Sequence, residues 1–317
     1  MSVSTTSPRI IGCDVGKARV EIFDSHDQNR RSIANDSAAL AEWAATLDPG
    51  CLVVCEATGG YEAALLAALL AAGVPAHRAD ARKVKAFIRS LGVHGKTDAL
   101  DARALARYGQ ERRLQLARWR APDKARAKLQ ALALTRRDLV VQRTAFSNRA
   151  QAPGAEPVQS YLNALLDCLD AQIAAIDADI ADLIEAHDDL RRSEKALRSI
   201  AGLGAKTAAA LLALMPELGS CDRRRVASLA GLAPHPRQSG EKDAYRRMTG
   251  GRPEVKRVLF MAAMSAARHN PALRDVYRRL LANGKKPIVA LSAIMRKIIV
   301  IANAKLRDLN PSAHQLS

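Results

Sequence analysis

The sequence predicts three parts: an α/β domain over residues 1–118, a helical hairpin with a coiled-coil seam over 119–190, and a mainly α domain over 191–317. Three observations carry this division. Two short apolar runs, at 9–13 and 51–55, each end in an acid followed by a Gly-containing turn, as strands do where they leave a sheet. In the middle, Leu162, Leu166, Leu169, Ile173, Ile176, Ile180 and Leu183 alternate spacings of four and three, a heptad seam. Past residue 190, turns marked by Gly and Pro open successive helical stretches.

Composition narrows the function. The 317 residues suffice for two or three domains, each with a core. Hydrophobic residues make up 48% but aromatics only 3%, so Ala, Leu, Ile and Val must build those cores. Lys and Arg number 49 against 32 Asp and Glu, a net charge of +17. That surplus favours a polyanionic partner, because neutralised phosphates release counterions. Nucleic acid fits first and an anionic membrane surface second. There is no run of eighteen apolar residues, and residues 1–9 are polar, so the expected location is the cytosol. Cys13, Cys51, Cys55, Cys168 and Cys221 form no C-x-x-C pair and read as reduced, buried small hydrophobes.

Taken in order, the residues from Ile10 to Asp14 read as a strand, those from Ala18 to Asp24 alternate as a second, and those from Asn29 to Ala34 form a third. Three short strands in succession favour an antiparallel meander. A short helix follows from Ser37 to Leu47, capped within 35–37. The run from Cys51 to Glu56 is apolar throughout and reads as a central buried strand. An Ala/Leu helix from Tyr61 to Ala72 stops at Gly73, a short strand runs from Val74 to Arg78, and a helix spans Asp98 to Gln110.

Asp14 and Glu56 therefore fall at the carboxyl ends of two strands, and if those strands are neighbours both acids face one crevice. Asp98 and Asp101, three residues apart, share a helical face that can close it. Like charges that close repel unless a cation lies between them, and hard oxygens suit Mg²⁺ or Mn²⁺. Taken singly, a strand-end Asp is a turn former and D-x-x-D is a solvated helix face. Four carboxylates from three separated segments read instead as a metal site. Two ions there could activate a nucleophile and stabilise the leaving oxygen of a phosphodiester, and one would suffice to hold a phosphate.

G-C-D-V-G-K at 12–17, C-E-A-T-G-G-Y at 55–61 and K-T-D-A-L-D-A at 96–102 resemble, in this order and spacing, the three acidic motifs of the IS110-family transposases. The resemblance implies an RNase H/RuvC-like nuclease domain whose DEDD tetrad falls on Asp14, Glu56, Asp98 and Asp101. Cations are dense around it, from Arg78, Arg82, Lys83, Lys85 and Arg89 through Lys96, Arg103, Arg107, Arg112, Arg113, Arg118 and Arg120. Some of these, with Lys17, can track a phosphate backbone, and the others form an ordinary solvated helix face. Trp119 reads as packing.

A helix from Asp123 to Ala150 is broken at 153–157, and the heptad seam follows with acidic flanks at Asp167, Asp170, Asp177, Asp179, Asp182 and Glu185. Those flanks point to a protein partner: the seam folds back on the preceding helix, joins two subunits, or does both. At 199–215, Gly202, Gly204 and Lys206 open a helix whose N–H groups can meet a phosphate, like half a helix-hairpin-helix. A purely structural tight turn fits the same residues.

Residues 229–240 hold two prolines and Ser239-Gly240 and predict an exposed irregular loop. A serine hydroxyl needs activation to act as a nucleophile, and Arg237, Arg246 and Arg247 could clamp a phosphate beside it. Read alone, Ser239 is a turn residue and His235 a loop histidine. G-L-A-P-x-P-R-Q-S-G, G-G-R-P-E-V-K-R-V-L-F and N-G-K-K-P-I-V-A-L-S-A-I-M-R-K resemble the C-terminal transposase domain of the same family, whose nucleophilic serine falls on Ser239. Lys285, Lys286 and Arg296, with Lys297, flank the last helix as phosphate contacts. Met261, Met264, Ile294, Met295 and Ile298 read as core. The resemblance implies a nucleoid-associated DNA recombinase that forms a phosphoserine link, uses a noncoding guide RNA and acts as a dimer or tetramer. A RuvC-like metal nuclease and a non-catalytic nucleic-acid-binding protein stay open beside it.

Overall fold

A computed structural model describes residues 9–91, 98–121, 123–239 and 242–309. The chain forms two compact units, Met1–Ala121 and Pro122–Ser317.

The first unit is a five-stranded sheet with helices on both faces. Its elements are β1 (Ile10–Val15), β2 (Arg19–Asp24), β3 (Arg30–Ala34), α1 (Ser37–Ala45), β4 (Leu52–Glu56), α2 (Ala63–Ala71), β5 (Ala76–Ala79), α3 (Ala81–Ser90) and α4 (Asp98–Arg112). The strand order is β3-β2-β1-β4-β5. The first three strands form the expected antiparallel meander, while β4 runs parallel to β1 and β5 parallel to β4. Alternation along the strands separates two cores. Ile11, Cys13, Val53 and Cys55 face Leu40 and Trp43 of α1 and Leu65, Leu66 and Leu69 of α2, with Trp119 packed at the rim. Ile10, Leu52 and Val54 face Phe87 of α3 and Leu105 and Tyr108 of α4. The Asp36 side chain caps α1 by accepting from the N–H groups of Ala38 and Ala39. Asp80 caps α3 in the same way. That helix escaped the sequence reading because only Val84 and Phe87 are buried in a run dominated by cations.

What sets the geometry of this unit is how closely α4 lies on β1. A Cβ added at Gly12 would stand 2.0 Å from the Ala102 carbonyl oxygen and 2.5 Å from the Ala106 nitrogen. One at Gly109 would meet Ile10 Cγ2 at 2.6 Å and Val54 Cγ2 at 2.9 Å. Helix and strand touch backbone to backbone, and only residues without a Cβ allow it.

The second unit is mainly helical: α5 (Lys124–Ala150), α6 (Gln159–Glu185), α7 (Asp188–Arg198), α8 (Ala205–Leu214), α9 (Arg223–Leu229), the strands β6 (Pro234–Ser239) and β7 (Lys242–Met248), then α10 (Pro253–His269), α11 (Pro271–Ala282) and α12 (Pro287–Leu309). α5 and α6 form an antiparallel hairpin, pinned by Arg136 to Asp177 and Arg143 to Asp170. The expected middle segment does not hold a core apart. Ala125, Leu129, Ile180, Leu183 and Ile184 join Leu190, Leu211, Leu259 and Ile298 in one cluster. α12 is long and apolar enough to cross a membrane by length and composition, yet Ile294, Ile298, Ala302 and Leu306 are buried in that cluster.

Two expectations need correcting. Residues 234–239 are not an irregular loop but one strand of a two-stranded ribbon, with a register irregularity between His235 and Arg237. Both strands are edges, so the missing N–H groups of Pro234 and Pro236 interrupt no central ladder. Met261 is not core: it is 63% exposed, while Ile294, Met295 and Ile298 are buried as expected. Its helical spacing matched, but among the described residues no element covers that side of α10. Four of the five cysteines are buried, and Cys168 is exposed.

Gly12→Ala is expected to lower the stability of the first unit by about 1–3 kcal/mol, the usual penalty of overpacking. Gly50→Ala, where an added Cβ meets only the Asp48 side chain, controls for the loss of a glycine without a backbone clash. Urea melts of both variants measure the difference.

Candidate active site

The acidic half of the site is built by register. β1 and β4 pair in parallel with Gly12 opposite Val54 and Cys13 opposite Cys55, so Asp14 and Glu56 come next, side by side at the carboxyl ends of adjacent strands. Neighbouring strands lie about 4.8 Å apart. Both acids share the sheet face of Gly12 and Val54, the face α4 covers. The contact of Gly12 with Ala102 places the first turn of α4, with positions 98 and 101, at this end of the strands. Asp101 is half-buried there, while the Asp98 side chain lies outside the described residues, as does all of Lys96. Among the described residues no three acids, cysteines or histidines already stand together as an ion-holding group. The donor types in the set of four are all hard carboxylate oxygens, which fits a divalent cation such as Mg²⁺.

The loop after β4 is held by a residue the sequence reading passed over. Glu62 is 2% exposed. Its Oε2 accepts from the N–H of Thr58 (3.1 Å), the Thr58 hydroxyl (3.1 Å) and the N–H of Gly60 (2.9 Å). Its Oε1 accepts from Arg78 Nε at 2.7 Å. The carboxylate thus ties the turn that starts at Glu56 to β5, and Arg78 is committed to it rather than to a phosphate. Burial alone would raise the Glu62 pKa. Hydrogen bonds from its own N–H, from Arg78 and from the Gly60 and Thr58 N–H groups outweigh burial and hold it at about 2. A Glu six residues after the strand-end acid, behind T-G-G, was the available signal. Glu21 was also missed: it lies directly across the ladder from Asp14 and accepts from the Ser32 hydroxyl.

Among the basic candidates, Lys17 is exposed at the β1–β2 turn. Arg103 is exposed and lies over the Phe23 ring of β2, 5.7 Å from its centroid. Arg112 stacks on Phe87 and Tyr108, and Arg107 pairs with Glu111.

In the second unit, Ser239 ends β6, paired with Lys242. The side chains of Arg237, Ser239, Arg246 and Arg247 lie outside the described residues. The base of this ribbon is firmly fixed. A Cβ on Gly231 would meet the Gly250 carbonyl oxygen at 2.4 Å, and one on Gly251 would meet the Gly231 nitrogen at 2.0 Å, so the two strand roots cross in direct backbone contact. Arg252 then donates to both Glu217 oxygens, at 2.7 and 2.5 Å, and to the Leu214 carbonyl at 2.8 Å. The sequence signals for this lock, G-L-A-P and G-G-R-P, were read only as loop and helix start.

The Gly202–Lys206 turn has structural partners. An added Cβ on Gly202 would stand 2.6 Å from Ala266 Cα, and Lys206 pairs with Asp177 at 2.8 Å. Gly204 precedes α8 with open space around its Cα. Lys285 and Lys286 are exposed before α12, and Arg296 is half-buried along it.

Two family descriptions match the chain: "Transposase", with a DEDD domain, over residues 11–153, and "Transposase IS116/IS110/IS902 family" over 194–278. The chain is 33% identical to the pilin gene-inverting protein of Moraxella lacunata, covering 72% of this chain and 71% of that one. It belongs to the IS116/IS110/IS902 family of transposases. The IS110 insertion-element protein of Streptomyces coelicolor is 32% identical over 65% of this chain and 49% of its own. The IS900 protein of Mycobacterium paratuberculosis is 28% identical over 94% and 95%. The transposase is thus an enzyme of DNA transposition and recombination, and the matched family segments contain the acidic candidates and Ser239 respectively.

The depressed Glu62 pKa has a signed consequence. Against an ordinary value of 4.5, a folded value near 2 contributes stability that is full above pH 4.5 and lost as pH falls towards 2. The contribution is about 3 kcal/mol. Glu62→Gln should remove most of this acid sensitivity and lower stability at pH 7, as read from urea melts across pH 2–7.

Proposed function

We propose that the transposase cuts and rejoins DNA with a metal-binding tetrad, Asp14, Glu56, Asp98 and Asp101, and with Ser239 as nucleophile. The observation that carries this reading is the register of β1 and β4, which sets Asp14 and Glu56 side by side beneath the helix that bears positions 98 and 101. The strand order with an antiparallel meander and two parallel strands supports an RNase H/RuvC-like domain. A divalent ion held there, Mg²⁺ or Mn²⁺, would offset the carboxylate repulsion and stabilise charge on a scissile phosphate.

The chain's own groups then divide the work. The tetrad fixes the phosphate's position, and Glu62 keeps the Glu56 turn from shifting. Ser239 Oγ forms a bond to phosphorus as one DNA oxygen leaves with the proton, giving a phosphoserine. A hydroxyl of another DNA end then takes the phosphorus back and frees the serine, so the number of phosphodiesters is unchanged. Arg237, Arg246 and Arg247 share the ribbon with Ser239 and balance the phosphate charge. Inversion, named for the Moraxella relative, requires rejoining as well as cutting, which favours this chemistry over a plain metal nuclease. DNA is the substrate, a noncoding RNA guides the choice of site, and subunits meet through the α5–α6 hairpin. The work takes place in the cytoplasm, on nucleoid DNA.

The test is a denaturation-resistant adduct between the full chain and DNA from the flanks of its gene, with Mg²⁺ and the flanking RNA. An adduct that disappears in both Ser239→Ala and Asp14→Asn is expected. DNA cut equally well by Ser239→Ala, with no adduct, would leave a metal nuclease.

A further inference from the structure

The cations of the second unit differ in their commitments. Several on the helical hairpin and on α8 are paired: Arg126 to Asp189, Arg136 and Lys206 to Asp177, Arg137 to Glu254, and Arg143 to Asp170. A cavity of about 610 Å³ on that side is lined by Arg136, Arg137, Arg198 and Lys206, each in an ion pair, and by Arg257. Lys256, Arg257, Lys285 and Lys286 enter no ion pair among the described residues. Lys256 and Arg257 line a second cavity, and Lys285 and Lys286 lie just before α12, which forms one of its walls.

That second cavity, about 660 Å³, opens at the root of the β6–β7 ribbon and is lined by Leu232, Met248, Phe260, Met261, Ile288 and Met295. Met261 is 63% exposed and Ile288 is 56% exposed. Two large apolar side chains left in water on facing helices forfeit the burial that would otherwise stabilise them. Lys256 and Arg257 stand in the wall, and Lys285 and Lys286 precede Pro287 and Ile288 at the start of α12. An apolar slot with one aromatic ring, flexible thioethers and a rim of unpaired cations matches a flat heterocycle between two phosphates. An apolar protein segment would meet the same cations without a counter-charge. Ser292 adds a polar edge: its hydroxyl donates to the Ile288 carbonyl at 2.8 Å and keeps lone pairs for an incoming N–H.

We propose that this cavity holds one unstacked base of the DNA strand, with the flanking phosphates bound by Lys256, Arg257, Lys285 and Lys286. The ribbon fixes the distance to the chemistry. From Pro234 to Ser239 the strand spans roughly 17 Å, about five steps of DNA at 3.4 Å each. A base seated here marks a fixed number of nucleotides from the phosphate at Ser239 and measures the cut site by extrusion rather than by edge reading. The proposal rests on the DNA-transposase reading; the base site itself is independent of the nucleophile, and only the measuring of the cut site needs Ser239.

The experiment uses the full chain and a thymidine oligonucleotide of about 20 nucleotides carrying 4-thiothymidine, irradiated and mapped by peptide mass spectrometry. Crosslinks at Phe260, Met261 or Ile288 are expected. In the double variant Met261→Glu, Ile288→Glu they should vanish, and affinity should fall about tenfold at fixed salt, the size of one lost base–pocket stack. Both positions are exposed, so the melting temperature should hold, and circular dichroism checks it. Crosslinks confined to other surfaces, with binding intact, overturn the proposal alone. So does pocket labelling by a 4-thiouridine RNA but not by DNA, which would assign the cavity to RNA. A variant that changes subunit mass while keeping DNA affinity would assign it to a second copy and overturn it as well. Absence of any DNA binding by the intact chain would overturn the DNA reading itself.

Discussion

The close approach of α4 to β1 is the constraint on which the acidic site depends. Carboxylates from a strand pair and from a helix can converge only if the helix axis lies low over the sheet, and an ordinary side chain at the crossing would lift it. Gly12 removes the side chain on the strand, Gly109 removes it on the helix, and Ala102 and Ala106 are small enough to follow. Glu62 serves the same end from the other side by holding the turn after β4 with five donated hydrogen bonds or ion contacts from Thr58, Gly60 and Arg78. Neither glycine nor Glu62 has chemistry of its own to contribute. They fix where the acids stand.

The second unit solves the equivalent problem with backbone contact again. Gly231 and Gly251 let the roots of the serine ribbon cross, and the Arg252–Glu217 pair ties the crossing to the end of α8. A two-stranded ribbon is marginal by itself, so its orientation has to be set where it joins the helical body. The same root borders the apolar cavity, whose lining includes Lys256 and Arg257.

Much of this was legible in the sequence because it is local. The strand-end acids, the alternation of β2, the capped α1 and the heptad seam of α6 all announce themselves within a few residues, and the sheet register sets Asp14 beside Glu56. What escaped was non-local. α3 was hidden because its burial is confined to Val84 and Phe87 and its partners are on α4. The prolines at 234 and 236 suggested a loop, since pairing with β7 cannot be seen from either strand alone. Met261 carried the correct helical spacing for a core position but lies on a side of α10 that no described residue buries.

By itself the sequence determined which elements form and which residues could carry chemistry: helical period, strand alternation, caps, and the pairing of Asp98 with Asp101 three residues apart. Those are properties of the chain over one or two turns. Only the tertiary structure decided which of the candidates stand together and which cations remain available. Side-by-side strands bring Asp14 to Glu56, Asp177 claims Lys206, Glu62 claims Arg78, and an uncovered face leaves Met261 beside Lys256. Such facts depend on which surfaces meet, and short-range pattern carries no information about a partner tens of residues away.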